Sequence, residues 1–271
     1  MKWQKPVPTG LKILALSVVN IVIWMISLSI LGAFFDLPEH PEQQEVRRAV
    51  MVVLFVVSLC NISVLSYAVL RSRWRGWKLV ITVFWVYFGI NTFNSQIETL
   101  YFNEFLKIPF TEVIYFIIVG TLLAAVFSPI AVLVLGRFKK TEEMKSRGDR
   151  VVMSFKEIVL KIVLISFVVY PLLYFLFGYF VAWQFQDARL LYSGSAEKLP
   201  FFTHFASTFS DDPWLYPWQV LRSLIWVSIA VPVIRMSIGG WRETGVMVGL
   251  LFAIIMNIQH LLPNPYMPRI I

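Results

Sequence analysis

The sequence predicts an all-α fold, a polytopic membrane helix bundle of about seven transmembrane helices. Three observations carry that expectation. The chain of 271 residues is 58% hydrophobic and only 15% charged, with a mean hydropathy of +0.71, whereas a soluble domain carries about 25% charged residues. Its apolar residues come in long runs, and runs of about 18 or more with almost no charge read as membrane spans. Its Lys and Arg residues gather in the short connections between those runs, which is how orientation signals are placed. That placement also accounts for the pI near 9.6, so the expected partner is the lipid bilayer and no nucleic acid is expected.

The first run, 13–35, follows a basic segment, Met1 to Lys12. It is longer than the apolar core of a signal peptide, about 7–15 residues, and is read as a retained span. Further spans are expected at 49–70, 79–101, 113–136, 158–182, 215–235 and 246–262. Each can cross about 30 Å of hydrocarbon at 1.5 Å per residue, the last only just. With the N-terminus inside, sixteen Lys and Arg residues fall on the inner side and six on the outer side. The positive-inside bias therefore predicts an integral membrane protein with a cytoplasmic N-terminus and an external C-terminus, in a plasma membrane or bacterial inner membrane. The lone Cys60 excludes an intramolecular disulfide and a cysteine zinc cluster.

Local punctuation refines these spans. Pro129, Pro171 and Pro232 each fall mid-span, where a missing backbone donor predicts a kink. Asp211-Asp212-Pro213 reads as the start of the sixth span, with a carboxylate cap and Pro at the first helical position. In the outer connection from Gln184 to Asp212, Phe201, Phe202, Phe205 and Phe209 recur at about helical spacing. They predict an amphipathic segment on the membrane surface or capping the bundle. The charged inner connection from Arg137 to Lys156 reads as a solvated linker whose basic excess favours anionic lipid.

The chain is read as one transmembrane domain, 1–271, with the outline of an internal duplication. Leu11-Lys12-Ile13 matches Leu160-Lys161-Ile162, Gly76-Trp77-Lys78 matches Gly240-Trp241-Arg242, and Asn94-Ser95-Gln96 matches Asn257-Ile258-Gln259, all in the same order. Repeat halves 1–112 and 146–271 would then flank a linker helix at 113–136 in a parallel 3+1+3 arrangement, as in some transporters. Chance matching between apolar sequences is the competing account.

The functional expectation rests on polar groups inside the spans. Seven of the nine residues from Asn91 to Thr99 are polar. Asn91, Asn94 and Glu98 share one helix face by spacing, Arg222 lies about two turns into the sixth span, and Asn257, Gln259 and His260 end the seventh. By topology all fall in the outer half of the membrane, where ionisable groups mark function or find partners. Lone Asn20 and Asn61 read as interhelical hydrogen-bond glue. H-E-x-x-H, G-x-S-x-G, P-loop and G-x-G-x-x-G motifs are absent from the sequence, and no metal or cofactor is expected. Three readings stay open. The outer polar cluster binds or transports a small molecule or ion; or Glu98 and His260 form the acid–base pair of an enzyme acting on a lipid or lipid-linked substrate at the outer leaflet; or the chain is an assembly subunit whose polar groups join helices.

Overall fold

A computed structural model of the chain describes residues 7–35, 44–139 and 154–262. His40, the charged stretch 140–153 and the C-terminal Pro268 to Ile271 lie outside the described residues. In chain order the helices are α1 Thr9–Gly32, α2 Gln44–Leu70, α3 Gly76–Phe88, α4 Asn94–Tyr101, α5 Asn103–Leu106, α6 Phe110–Val134, α7 Phe155–Leu164, α8 Tyr170–Phe180, α9 Gln186–Ser193, α10 Phe201–Asp211, α11 Leu215–Met236 and α12 Trp241–Asn257. A π turn, Gly89–Phe93, joins α3 to α4 and another, Ile165–Val169, joins α7 to α8. Among the described residues there is no strand, only an isolated antiparallel bridge between Ser72 and Ser237.

The protein is an all-α polytopic membrane protein. Among the described residues, six helices are long and apolar enough to cross a bilayer: Thr9–Gly32, Val50–Leu70, Phe110–Val134, Phe155–Gln184, Leu215–Met236 and Trp241–Leu261. The remaining expected span, 79–101, falls on the unbroken helical run α3–π turn–α4 but is not among the six, because its second half is the polar stretch. The packing is that of a protein in lipid. Helix α1 exposes Leu14, Val18, Val22, Met25 and Ile30, and three of its four buried residues are Ser17, Asn20 and Ser27. Small and polar side chains inside, large apolar ones outside, suit helices whose association gains nothing from hiding leucine from lipid.

Contacts divide the described residues into two units. The first holds α1, α2, α3, α4, α6, α12 and the last residues of α11 from Ile229. In it α1 packs on α2 and α6, α6 on α3 and the π turn, the π turn on α12, and α12 on α2. These contacts close a ring of five helical stretches. One end of this ring is stitched by its basic connections. Arg73 donates to the Ser237 carbonyl (3.1 and 2.6 Å), and the Arg137 guanidinium to that of Leu70. These carbonyls lie at or just past the C-terminal ends of α11 and α2, where helices lack donors and favour cations. Burial, with Arg75 and Arg71 nearby, lowers Arg137 from its ordinary value. Arg71 grips Glu243, in the first turn of α12, through two guanidinium nitrogens. Gly76 opens α3 at positive φ, with its N–H on the Arg137 carbonyl (3.0 Å).

The second unit holds α5, α7 to α10 and α11 through Ser228. Helix α7 starts in a capping box, Ser154 and Glu157. Pro171 follows the π turn Ile165–Val169 and cannot donate to the carbonyl four residues back, that of Phe167; Tyr216 Oη donates to it instead (2.5 Å). The expected kink is thus resolved into a π turn with a borrowed donor. The amphipathic segment is α10. Phe205 and Phe209 pack on Phe175 (5.2 and 5.3 Å between ring centres), Phe201 packs on Tyr179 and Phe180, and Phe202 stays exposed. The Asp212 cap is real but shifted: its carboxylate accepts from Trp214 N–H (3.1 Å), Pro213 sits in the turn, and the helix begins at Leu215. The Asx turn satisfies the N–H just past the proline, so regular helix starts two residues later.

Candidate functional site: a polar cavity in the five-helix ring

All five members of the ring in the first unit line one cavity of about 90 Å³. Helix α1 contributes Asn20, Ile21 and Trp24; α2 contributes Leu54, Val57, Ser58 and Asn61. Tyr87 comes from α3, Asn91 from the π turn and Leu123 from α6, while Gln259 and Leu262 follow the end of α12. About 10–15 Å³ of such space holds a water, so the cavity has room for several, or for a small molecule. Asn20, Asn61 and Tyr87 each lie roughly ten residues, about 15 Å, along their helices from the basic end. Gln259 lies farther, about 27 Å along α12 and its final turn. The cavity therefore runs from mid-bundle toward the end opposite the basic connections.

Its floor is a hydrogen-bond chain across three helices. Tyr87 Oη donates to Asn20 Oδ1 (2.8 Å), Asn20 Nδ2 donates to Ser58 Oγ (3.1 Å), and Ser58 Oγ donates to the Ser17 carbonyl (2.9 Å). Asn61, three positions along α2 from Ser58, keeps its side chain buried with an Oδ1 that has no hydrogen-bond partner among the described residues. No ionisable side chain other than the Tyr87 phenol lines the space.

The π turn decides which polar residues reach this space. Its i→i+5 bonds widen the helix by one residue, so straight helical spacing fails across it. Asn91 lines the cavity, with its Nδ2 3.5 Å from Thr92 Oγ1. Asn94 is buried and donates to the Gly89 carbonyl (3.0 Å). The common face expected for Asn91, Asn94 and Glu98 is therefore not a common cavity wall. Two glycines seat the turn. An added Cβ at Gly89 would lie 2.7 Å from Ile229 Cδ1, and one at Gly120 would collide with the Thr92 side chain.

The other sequence candidates separate. Gln259 joins Asn91 at the cavity. Asn257 is exposed and bonds back to the Ala253 carbonyl (2.9 Å), a local helix contact. His260 is exposed on the final turn, and Glu98 is half-buried on α4, outside the lining. Arg222 is buried on α11 in the second unit, at helical spacing from the buried Gln219, Ser223 and Trp226. Asn20 is the glue the sequence predicts, and it also lines the cavity. Ser58, Tyr87 and Trp24 were not singled out by the sequence. A usable signal existed in the helical spacing of Ser17, Asn20 and Ser27 and in the pair Ser58 and Asn61. Glu112, buried in the first turn of α6, also escaped, because it sits at the edge of an apolar run. Comparison with protein families, curated proteins and solved structures finds no match to this chain.

Proposed function

We propose that this multi-pass membrane protein binds a small molecule in the five-helix cavity, reached from the outer face, as a transporter or receptor-like binder. One observation carries the reading: four of the five helical stretches of the ring, apolar toward lipid, turn Asn20, Ser58, Asn61, Tyr87, Asn91 and Gln259 toward a single space, and α6 closes it with Leu123. Polar side chains are costly inside a membrane and concentrate where they are partnered or line a wet path. The basic end of the ring is assigned to the cytoplasm by the positive-inside rule, which turns the Gln259 end outward. Asn91 and Gln259 are the proposed ligand contacts. Glu98, on the next stretch of the same helical run, is the proposed outer charged group, and Asn94 shapes the turn that presents Asn91.

The test is thermal-stability screening of the purified protein against small metabolites and ions. A compound acting at the cavity raises the melting temperature of the wild type and not of the Asn91→Leu/Gln259→Leu variant. Uptake of the same compound into proteoliposomes would make the protein a carrier, and binding without uptake a receptor. A panel that shifts both proteins equally sinks the reading and leaves the assembly role, in which Asn20 and Ser58 serve to join helices.

A further inference from the structure

The hydrogen-bond chain on the cavity floor has a direction, and the backbone sets it. The Ser17 carbonyl can only accept, so Ser58 Oγ must donate to it (2.9 Å). That uses the one Ser58 proton, so at the 3.1 Å contact the Asn20 amide must donate and Ser58 accept. The amide is thereby oriented with Oδ1 toward Tyr87, and the Tyr87 hydroxyl must donate in turn (2.8 Å). The protons of these three bonds run toward Ser17, while the second N–H of the Asn20 amide is left to meet an acceptor on a visitor. What Tyr87 has left for a visitor is an oxygen that can only accept. Asn61 Oδ1 adds an acceptor without a partner. Asn91 turns its Nδ2 toward Thr92 and keeps its carbonyl oxygen to spare. With no carboxylate or cationic side chain among the lining residues, a full charge would sit in the ring uncompensated.

We infer that the cavity selects an uncharged molecule of a few non-hydrogen atoms that donates hydrogen bonds as well as accepting them, a polyol or a primary amide. The inference rests on the binding reading above and names its ligand class. A molecule that donates pairs these acceptors; an equally sized one without donors leaves them buried and unpaired, which is the discrimination polar sites perform best. Trp24, Ile21 and Leu123 supply the apolar wall for its carbon face.

The experiment is saturation-transfer NMR on the full chain in lipid nanodiscs. The probes are acetamide and ethylene glycol, with the methylated counterparts acetone, which carries a methyl in place of the amide nitrogen at equal size, and 1,2-dimethoxyethane, and sodium and potassium chloride as competitors. Acetamide and ethylene glycol should receive saturation severalfold more strongly than the methylated pair. Tyr87→Phe, or Asn61→Leu if the first variant does not fold, should bring them down to the methylated level. Asn91→Leu should remove the signal. Equal signals from methylated probes would overturn donor selection, as would displacement by either salt, while leaving a ligand cavity in place. Signals that Asn91→Leu does not change would overturn both this inference and the binding reading.

Discussion

Gly120 of α6 and Thr92 of the π turn occupy each other's space: a methyl group on the glycine would collide with the threonine side chain. Thr92 is buried and β-branched, with little rotamer freedom to yield. Gly120→Ala should therefore destabilise the protein by about 1–3 kcal/mol, the range of overpacked cores, and displace Asn91 from the cavity. Gly89→Ala meets Cδ1 and Cγ1 of the buried Ile229 side chain, at 2.7 and 3.0 Å, a looser contact whose outer carbon turns about χ2. Denaturation of the two variants should rank Gly120→Ala as the more damaging; the opposite order would mean that the π turn is not held by α6.

The floor of the cavity should respond as a unit. Asn20→Ala removes the centre of the chain and leaves Ser58 and Tyr87 to find new partners, at a cost of about 1–3 kcal/mol. Once Asn20 is gone, Tyr87→Phe should cost less than it does in the wild type, because the two share one interaction. A double-mutant cycle in unfolding free energy checks this, and strict additivity would contradict it.

Arg71 and Glu243 join the end of α2 to the start of α12 through paired nitrogens and oxygens, yet their side chains are 40% and 31% exposed. Solvent and salt screen such a pair. The coupling in a cycle of Arg71→Met and Glu243→Gln should be small and shrink as salt rises. A coupling of several kcal/mol that ignores salt would show the pair to be shielded from solvent.

In the second unit, Tyr216→Phe should cost about 1 kcal/mol by leaving the Phe167 carbonyl without its donor. In a Pro171→Ala background the restored N–H at position 171 competes for that carbonyl, so the same substitution should cost less. Equal costs in both backgrounds would separate the hydroxyl from the proline.

His204 stacks on Trp183 (4.7 Å between ring centres) and Tyr179, and burial lowers it below its ordinary value near 6.5. The unfolded chain then binds a proton that the folded one resists. Stability contributed here is present above about pH 6.5 and is lost as pH falls through the lower folded value. Hydrogen exchange in α10 should accelerate on acidification through that window, and His204→Gln should flatten the response.

Much of the membrane architecture was readable because lipid imposes one demand, long apolar helices, that composition reports directly. The ends of α1 and α6 fall within four residues of expectation for that reason. The polar stretch from Asn91 was equally visible, and so were the polar residues near Gln259, but not what they would face. A π turn has no composition of its own, and its extra residue moved Asn94 from the expected face to its own backbone. Tyr87 stayed hidden because a tyrosine in an apolar run looks like core until the Asn20 amide is seen opposite its hydroxyl.

The ring has a birth order. Its polar floor is drawn from α1, α2 and α3, which leave the ribosome before α6 and α12, whereas the two partners of the Arg71–Glu243 latch between α2 and α12 are 172 positions apart. Once α3 has emerged, Asn20, Ser58 and Tyr87 can satisfy one another without any later helix. Insertion of α12 then encloses a space whose floor is already wired, so the wait of those three groups for partners ends when α3 emerges and not when the last helix does.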